Sequence, residues 1–302
     1  MSVLDHQGQG ADGRTRLDAS REFTFEVPAK TVGTVRFPIR KVSEKKMRKA
    51  FFAFAAALVA FSASAGKGDG FNVLDFGAIG DGETMNTAAI QKAIDAASAA
   101  GGGRVVIAGG RFMSGTITLK SRVDLHIAED GVLLGSPRCE DYPERENLKH
   151  VVSENLPRER NACFIWAEEA EKIAITGQGV IDCNGQHFVE KKTGDWYAWE
   201  YQRIPGLKTP PRVVFLAGCR DVTVRDVTMI NQPAGWGFWI NDCDDVSFAG
   251  VKIRARVEYP NNDGIHINCS RDVSVERCEI ECGDDAIVVR ANSRGLKQNR
   301  PC

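Results

Sequence analysis

A short β-strand pattern recurs at nearly regular intervals in this 302-residue chain. It reads Asp221-Val222-Thr223-Val224, returns 24 residues later as Asp245-Val246-Ser247-Phe248, and returns after 27 more as Asp272-Val273-Ser274-Val275. A second short strand follows each copy and a third precedes the next, as in Gly264-Ile265-His266-Ile267-Asn268. Three short strands in every ~22 to 28 residues predict a parallel β-helix, because each coil can bury its inward residues only against its neighbours. The expected fold class is therefore all-β.

Earlier copies of the pattern are more widely spaced. They are Arg122-Val123-Asp124-Leu125 and Lys172-Ile173-Ala174-Ile175, and the steps from Val123 to Ile173 to Val222 are 50 and 49 residues, which predicts two repeats in each interval. Residues 141–160 and 185–211 break the repeat and are expected to form loops outside the coil, a common location for functional residues. The second loop contains Trp196, Tyr197, Trp199 and Tyr201, which either stack on sugar rings or fold the loop onto the coil.

An amphipathic helix is expected before the first coil. Asn86 or Thr87 can cap it, and apolar residues follow at helical spacing at Ile90, Ala93, Ile94 and Ala97 before three glycines end it. Because an open solenoid end exposes unpaired strand edges, we expect residues 86–100 to form an N-terminal capping α-helix. A leucine-rich horseshoe is disfavoured, since its leucine signature and its helix in every repeat are missing.

A secretion signal is expected inside the chain. Met47-Arg48-Lys49 precedes an apolar run of twelve residues, and Ala63-Ser64-Ala65 supplies the small residues of a cleavage site. We therefore expect translation to start at Met47, residues 1–46 to be a non-native upstream extension, 47–65 a signal peptide, and 66–302 the secreted or periplasmic catalytic domain. The alternative is an internal signal anchor with a small cytoplasmic tail.

Charge and cysteine content exclude several classes of partner. Lys and Arg number 39 against 40 Asp and Glu, so no overall field attracts nucleic acid or an anionic membrane. Nine cysteines without CxxC or Cys/His spacing argue against a thiolate metal site. An oxidising compartment permits one or two disulfides, with Cys278–Cys282 as a candidate, although most of the cysteines are expected to be small core residues.

Three aspartates follow the repeat. Asn261-Asn262-Asp263-Gly264 and Gly283-Asp284-Asp285 place Asp263 and Asp284 21 residues apart, about one coil, so their carboxylates should stack on neighbouring rungs roughly 4.8 Å apart. Like charges this close raise at least one pKa, which gives the acid and the base that glycosidic cleavage needs. The alternative is that Asp and Asn beside Gly only shape turns. Asp284 and Asp285 can both face one cleft only at a strand end or bend, which Gly283 permits.

Asn-x-Asp-Gly followed one coil later by Gly-Asp-Asp resembles the signature of glycoside hydrolase family 28, the polygalacturonases and related pectin hydrolases. The opening Asn72-Val73-Leu74-Asp75-Phe76-Gly77-Ala78 resembles the start of that family. The resemblance implies a right-handed, pectate-lyase-like parallel β-helix and hydrolysis of pectin-type polysaccharide with inversion. Asp284 would protonate the leaving oxygen, while Asp263 and Asp285 would hold and deprotonate the attacking water.

The sequence departs from the family pattern at three points. Asn262 replaces a Thr, and His266 stands where many endo-acting members have Asp. The family's Gly-His-Gly and Arg-x-Lys motifs, which lie one and two coils further on, have no counterpart before Cys302, so we expect a chain truncated at its C-terminus. Arg290, Arg294 and Lys297 are nearby cations, for which a solvated basic turn is the favoured interpretation.

The remaining candidates concern the substrate. Asn261, His266, Arg290 and Trp236 are candidate substrate-binding residues. We expect a monomer acting on polysaccharide, with no cofactor, no metal, no nucleic acid and no membrane span after signal cleavage. A calcium-dependent β-helix polysaccharide lyase and a non-catalytic glycan-binding or adhesin β-helix remain as alternatives to the hydrolase.

Overall fold

The computed structural model describes residues 70–145, 161–192, 200–210 and 212–291, which belong to one compact unit. Three parallel sheets wind these residues into a right-handed parallel β-helix, as predicted. Each complete coil contributes one strand to each sheet, so the core lies inside the coil and every sheet has an outer face. The directions of side chains at the ends of the strands therefore depend on the turns between the sheets.

The strands are numbered in chain order. The first sheet contains β1 (Phe71–Asn72), β3 (Gly103–Ile107), β6 (Val123–Ile127), β9 (Glu171–Thr176), β14 (Arg220–Arg225), β17 (Asp244–Ala249) and β20 (Arg271–Glu276). The second contains β2 (Asp81–Met85), β4 (Gly110–Ser114), β7 (Gly131–Gly135), β10 (Val180–Asp182), β15 (Thr228–Ile230), β18 (Lys252–Arg254) and β21 (Glu279–Glu281). The third contains β5 (Ile117–Thr118), β8 (Cys163–Glu168), β13 (Arg212–Ala217), β16 (Trp236–Asn241), β19 (Ile265–Asn268) and β22 (Ile287–Arg290).

The repeated tetrapeptides lie on neighbouring strands of the first sheet. Val222 pairs with Val246, and Val246 with Val273, in the register that the repeat predicts. The aspartate that opens each copy has left-handed backbone, with φ of 56° at Asp221, 55° at Asp245 and 51° at Asp272. Aspartate tolerates this conformation better than most residues, so it recurs here because the corner between the third and first sheets requires it.

The widely spaced copies correct one prediction. β6 pairs directly with β9, and β9 with β14, so each interval of about 50 residues is one coil and not two. Among the described residues, those in excess of one coil lie outside the three sheets, because insertions at a turn lengthen the chain without adding a rung. In the interval 185–211, the described part forms a 3₁₀ helix, Gly185–Phe188, and an antiparallel pair, β11 (Val189–Lys191) with β12 (Tyr201–Arg203).

Three further helical segments complete the described structure: the 3₁₀ helices Val73–Phe76 and Cys139–Asp141, and the helix α1, Thr87–Ala99. Ile90 and Ile94 of α1 are fully buried against the first coils, which confirms the predicted cap. Burying an isoleucine stabilises by about 1.5–3 kcal/mol. Asn86 precedes the helix, but its side chain accepts from the Ile79 N–H at 2.7 Å and donates to the Ile79 and Thr84 carbonyls instead of capping α1.

The cysteines behave mainly as core residues. Free thiols at Cys163, Cys183, Cys219 and Cys243 are buried, while Cys269 is disulfide-bonded. The candidate bridge between Cys278 and Cys282 is wrong, since both are free thiols. They flank the three residues of β21, and four residue steps along an extended chain place them roughly 13 Å apart, beyond the ~7 Å that a disulfide can bridge.

No helix within the described residues is long and apolar enough to span a membrane. The expected signal peptide at 47–65 and the upstream extension at 1–46 lie outside those residues.

Candidate active site

Two turns stack where the chain enters the third sheet. Residues 261–264 lead into β19, and 283–286 lead into β22 one coil later. The Gly264 N–H donates to the Asp285 carbonyl at 2.9 Å, which places one turn on the other. One carboxylate oxygen from each of Asp263, Asp284 and Asp285 lies within 4.8 Å of the other two. The structure therefore brings together the three acids that the coil spacing selected.

Gly283 allows the two adjacent aspartates to share this patch. A Cβ at this position would lie 2.5 Å from the Val257 carbonyl oxygen and 2.6 Å from that of Tyr259, so no other residue fits without moving the backbone. Residues 283–286 form a bend before β22 begins, and the strict alternation of strand side chains does not yet apply there. Asp284 is partly exposed and Asp285 exposed, so both reach the same opening.

Two asparagines of the first turn bond to the second. Asn261 donates through Nδ2 to Asp284 Oδ2 at 3.2 Å. Asn262 is fully buried; its Oδ1 accepts from the Gly283 N–H at 2.7 Å, and its Nδ2 donates to the Arg256 carbonyl at 2.6 Å. The candidate substrate-binding residue Asn261 thus contacts a carboxylate of the site, and Asn262 fixes the distance between the turns.

His266 lies beneath Asp263. Its Nε2 is 2.8 Å from Asp263 Oδ2, and the whole residues are only 3% and 4% exposed. His266 was predicted as a substrate-binding residue, but in this structure its ring is buried and contacts the carboxylate instead. Asp263 is also held through its main chain, because the buried Gln232 donates through Nε2 to the Asp263 carbonyl at 3.0 Å.

Aromatic rings cover the outer face of the third sheet beside the acids. Trp239 and His266 are direct partners on β16 and β19. The ring of Trp236 stacks on His266 with centroids 4.0 Å apart and planes at 16°, and on Trp239 at 4.8 Å and 21°. Trp236, predicted from the sequence as a substrate-binding residue, is partly exposed, so one part of this stack reaches the surface next to the acids.

Two guanidinium groups accompany the stack. The Arg212 guanidinium lies 4.9 Å from the ring centroids of both Trp236 and Trp239, and Arg212 is 1% exposed. The Arg290 guanidinium lies 5.5 Å from the Trp236 centroid. Arg290 closes strand β22 instead of lying in a solvated turn, which corrects the favoured interpretation of the sequence. Arg294 and Lys297 lie outside the described residues.

The acids differ in electrostatic environment. Burial raises the pKa of Asp284 above its usual value of 3.8, and the negative charges of Asp263 and Asp285 raise it further. The hydrogen bond from Asn261 lowers it and offsets part of this effect. A carboxyl group that keeps its proton to higher pH is suited to protonate a leaving oxygen.

Comparison with known proteins identifies the family. The model of Glycosyl hydrolases family 28 matches residues 148–299, half of the chain, which includes both acidic turns. The chain belongs to glycoside hydrolase family 28. A second model, for rhamnogalacturonase A/epimerase, pectate lyase-like proteins, matches residues 70–128 at the start of this family 28 β-helix.

Three relatives show the extent of the similarity. The family 28 chain is 29% identical over 242 residues to a probable polygalacturonase of Vitis vinifera, covering 76% of this chain and 46% of the relative. It is 29% identical over 252 residues to an exo-poly-alpha-D-galacturonosidase of Dickeya chrysanthemi, covering 72% and 41%. The solved family 28 exopolygalacturonase of Yersinia enterocolitica superposes with a TM-score of 0.58 at 27% identity, covering 74% and 45%. The chain spans less than half the length of each of these proteins.

Sequence reasoning missed Arg212 and Gln232. Arg212 opens β13 at the register position of Trp236, and a charged residue followed by Val213-Val214-Phe215 gave the only available signal. Gln232 lies in the connection between β15 and β16, where nothing in the sequence distinguishes a buried donor from a solvated amide.

Of the four aromatic residues proposed for sugar stacking in the 185–211 loop, Trp196, Tyr197 and Trp199 lie outside the described residues. Tyr201 packs against Tyr259 with centroids 5.0 Å apart, which favours the loop-packing alternative for this residue.

The acidic trio also defines where a cation could bind. Three carboxylates with oxygens this close offer the hard ligands that calcium or magnesium prefers. Glycosidic hydrolysis by paired carboxyl groups needs no metal, so the absence of a metal requirement stays a prediction that chelation tests.

Proposed function

We propose that this family 28 protein is a glycoside hydrolase that cleaves pectin-type polysaccharide, galacturonan or a related chain. The convergence of Asp263, Asp284 and Asp285 within 4.8 Å beside an aromatic surface carries the proposal. The names of the relatives from Vitis vinifera and Dickeya chrysanthemi, both galacturonan-cleaving enzymes by those names, support the substrate class.

The three acids divide the chemistry between them. Asp284, whose pKa is raised by burial and by its acidic neighbours, donates a proton to the glycosidic oxygen as the bond to the anomeric carbon breaks. Asp263 and Asp285 hold a water molecule and accept its proton while its oxygen forms the new bond to that carbon. The products are two shortened sugar chains, and the proton taken from water restores the acid through solvent.

Substrate contact is assigned to the surface beside the acids. Trp236 presents the edge of an aromatic stack to the opening, and sugar rings pack on such surfaces. The guanidinium of Arg290 lies next to it and offers planar donors to a uronate carboxylate. Asn261 shapes the site through its bond to Asp284.

The cellular setting proposed follows from the sequence. Residues 47–65 direct export, cleavage occurs after Ala65, and residues 66–302 act as a monomeric β-helix domain outside the cytoplasm without nucleic-acid partners. Mass spectrometry of the native product should find Gly66 as its first residue, and a peptide from residues 1–46 would contradict this maturation.

Reducing-end release from polygalacturonate and a small panel of pectic polysaccharides tests the activity. We expect Asp284→Asn to lower kcat by about 10²- to 10⁴-fold, the usual contribution of a general acid. Asp272→Asn is the matched control, because Asp272 is an exposed residue with left-handed backbone at the start of β20 and Asn tolerates the same backbone. Equal rates for the two variants would contradict the assignment.

The same assay separates the alternatives. A hydrolase retains activity in EDTA and forms no unsaturated product, whereas a calcium-dependent lyase loses activity and produces an absorbing double bond. Saturable binding of the panel without any cleavage by the folded protein would instead support a glycan-binding β-helix.

A further inference from the structure

We propose that His266 is a positioning residue that fixes the orientation of the Asp263 carboxylate within the acidic trio. The role in hydrolysis rests on the proposed function, whereas the hydrogen bond itself does not.

The two oxygens of Asp263 are in different situations. Oδ2 lies 2.8 Å from His266 Nε2, a short contact for a nitrogen donor and a carboxylate. Oδ1 is buried and has no hydrogen-bond partner among the described residues. A buried carboxylate oxygen without a partner is costly, so the hydrogen bond at Oδ2 matters more for holding this carboxylate in place. His266 therefore decides how the Asp263 carboxylate is oriented.

The tautomer of His266 follows from its surroundings. Nδ1 is buried and has no partner in the described part of the chain. A proton there would leave a buried N–H unpaired, and an unprotonated Nε2 would face the carboxylate with two acceptors in contact. A neutral ring with its proton on Nε2 satisfies both atoms best, and that proton is donated to Asp263 Oδ2.

Charged groups of both signs surround the His266 ring. The guanidinium groups of Arg212 from β13 and Arg290 from β22 lie over Trp236, which itself stacks on His266. Asp263 is in direct contact with the ring, and Asp284 and Asp285 lie beyond it in the acidic trio. The hydrogen bond to Asp263 does not itself require an imidazolium, since a neutral ring with its proton on Nε2 donates it.

Packing prevents the ring from turning. Trp236 lies nearly parallel to it at 4.0 Å, and Trp239 lies at 5.7 Å on the neighbouring strand. The Asp263 main chain is fixed separately by Gln232. With both partners held in place, the Asp263 carboxylate has one orientation, and a shift of about 1 Å in such a group can cost on the order of 10²-fold in rate.

Substitution of His266 tests the role in catalysis. In His266→Leu, we expect kcat to fall on the order of 10²-fold with KM changed less than about threefold, because the carboxylate turns while substrate contacts remain. His266→Gln, whose amide reaches the position of Nε2 and donates there, should recover most of the loss. The control His126→Gln alters a partly buried histidine that bonds to Thr176 on the first sheet, away from the acids, and should retain full activity.

A second measurement does not depend on turnover. In ¹⁵N-histidine NMR spectra of the purified protein, His266 should show a protonated Nε2 and an unprotonated Nδ1, and Asp263→Ala should shift both signals. Resonances of an Nδ1–H tautomer, or signals unchanged by Asp263→Ala, would overturn the proposal even if the protein cleaves nothing. The proposal would also be overturned if the protein is active but His266→Gln is no more active than His266→Leu, or if these substitutions change only KM. If the wild-type protein shows the expected spectra but cleaves no polysaccharide, the proposed function is contradicted. The role of His266 in hydrolysis is then contradicted too, but its hydrogen bond to Asp263 is not.

Discussion

Asn262 connects the two acidic turns, because its Oδ1 accepts a hydrogen bond from the Gly283 N–H at 2.7 Å across one coil of the β-helix. Gly283 immediately precedes Asp284, so the Asn262 side chain couples the position of Asp263, its own neighbour, to the position of the proposed proton donor. The relative placement of the acids is thus set by a buried amide and by backbone pairing.

Removing that amide should weaken both stability and activity. In Asn262→Ala, two buried hydrogen bonds are lost, and we expect the free energy of unfolding to fall by about 1–3 kcal/mol. Because the second turn loses its contact with the first, kcat should also decrease. Urea denaturation and polygalacturonate cleavage measure the two effects. Unchanged activity with reduced stability would show that backbone pairing alone positions the acids.

The raised pKa of Asp284 implies a cost in stability at neutral pH. The folded protein holds the Asp284 proton more tightly than the unfolded chain does, so the contribution to stability is full below about pH 3.8 and is lost as pH rises through the raised pKa. Asp284→Asn removes the charge but keeps an acceptor for Asn261. We therefore expect this variant to unfold at higher urea than the wild type at pH 7, with the difference disappearing in acid.

The control for this effect is Asp272→Asn, whose charge lies outside the acidic trio. Its urea midpoint relative to the wild type should not show the same trend with pH. If Asp284→Asn were less stable than the wild type at pH 7, the trio would have to be stabilised by a bound cation or by contacts other than those described.

The left-handed corner of each coil gives a prediction about the scaffold alone. Asp245 is exposed and has φ of 55°, so Asp245→Ala keeps a Cβ in a disfavoured conformation but removes the local bonds that an Asp side chain can form. We expect a loss of about 1 kcal/mol in the free energy of unfolding, whereas Asp245→Asn and Asp245→Gly should remain within a few tenths. Thermal unfolding measures the series, and equal losses for all three would contradict the backbone explanation.

The same corner shows why much of the fold was predictable. The strand repeat and its opening aspartate have a local cause, and the pairing of Val222, Val246 and Val273 follows from it. The intervals of about 50 residues on either side of Ile173 were predicted to hold two coils each and hold one. The number of residues in an interval does not distinguish a second coil from an insertion at a turn. The bridge between Cys278 and Cys282 failed for a similar reason, since nearness in sequence is not nearness across an extended strand.

The site was predictable where it depends on the coil period and not elsewhere. Asp263 and Asp284 follow from an offset of one coil, and the glycine beside Asp284 indicated the bend. The bond from His266 to Asp263 and the stacking of Trp236 with Arg212 depend on side-chain directions at turns and on rings from three strands. No period in the sequence encodes such contacts, so the structure was needed to assign His266 a buried place beneath the acid.

The stereochemistry of cleavage provides the last test. Inversion is expected from family membership, yet inverting pairs are typically ~6.5–9.5 Å apart and retaining pairs ~5–5.5 Å, whereas oxygens of Asp263, Asp284 and Asp285 approach within 4.8 Å. The short separation of these oxygens remains compatible with inversion if Asp263 and Asp285 hold the attacking water together. The water then lies beside these two carboxylates, and it does not have to fit between one of them and the acid. Proton NMR of the first-formed product should therefore show the anomer opposite to that of the substrate. A retained anomer would instead identify one of these carboxylates as a nucleophile, and the corresponding alanine variant would then accumulate no covalent intermediate.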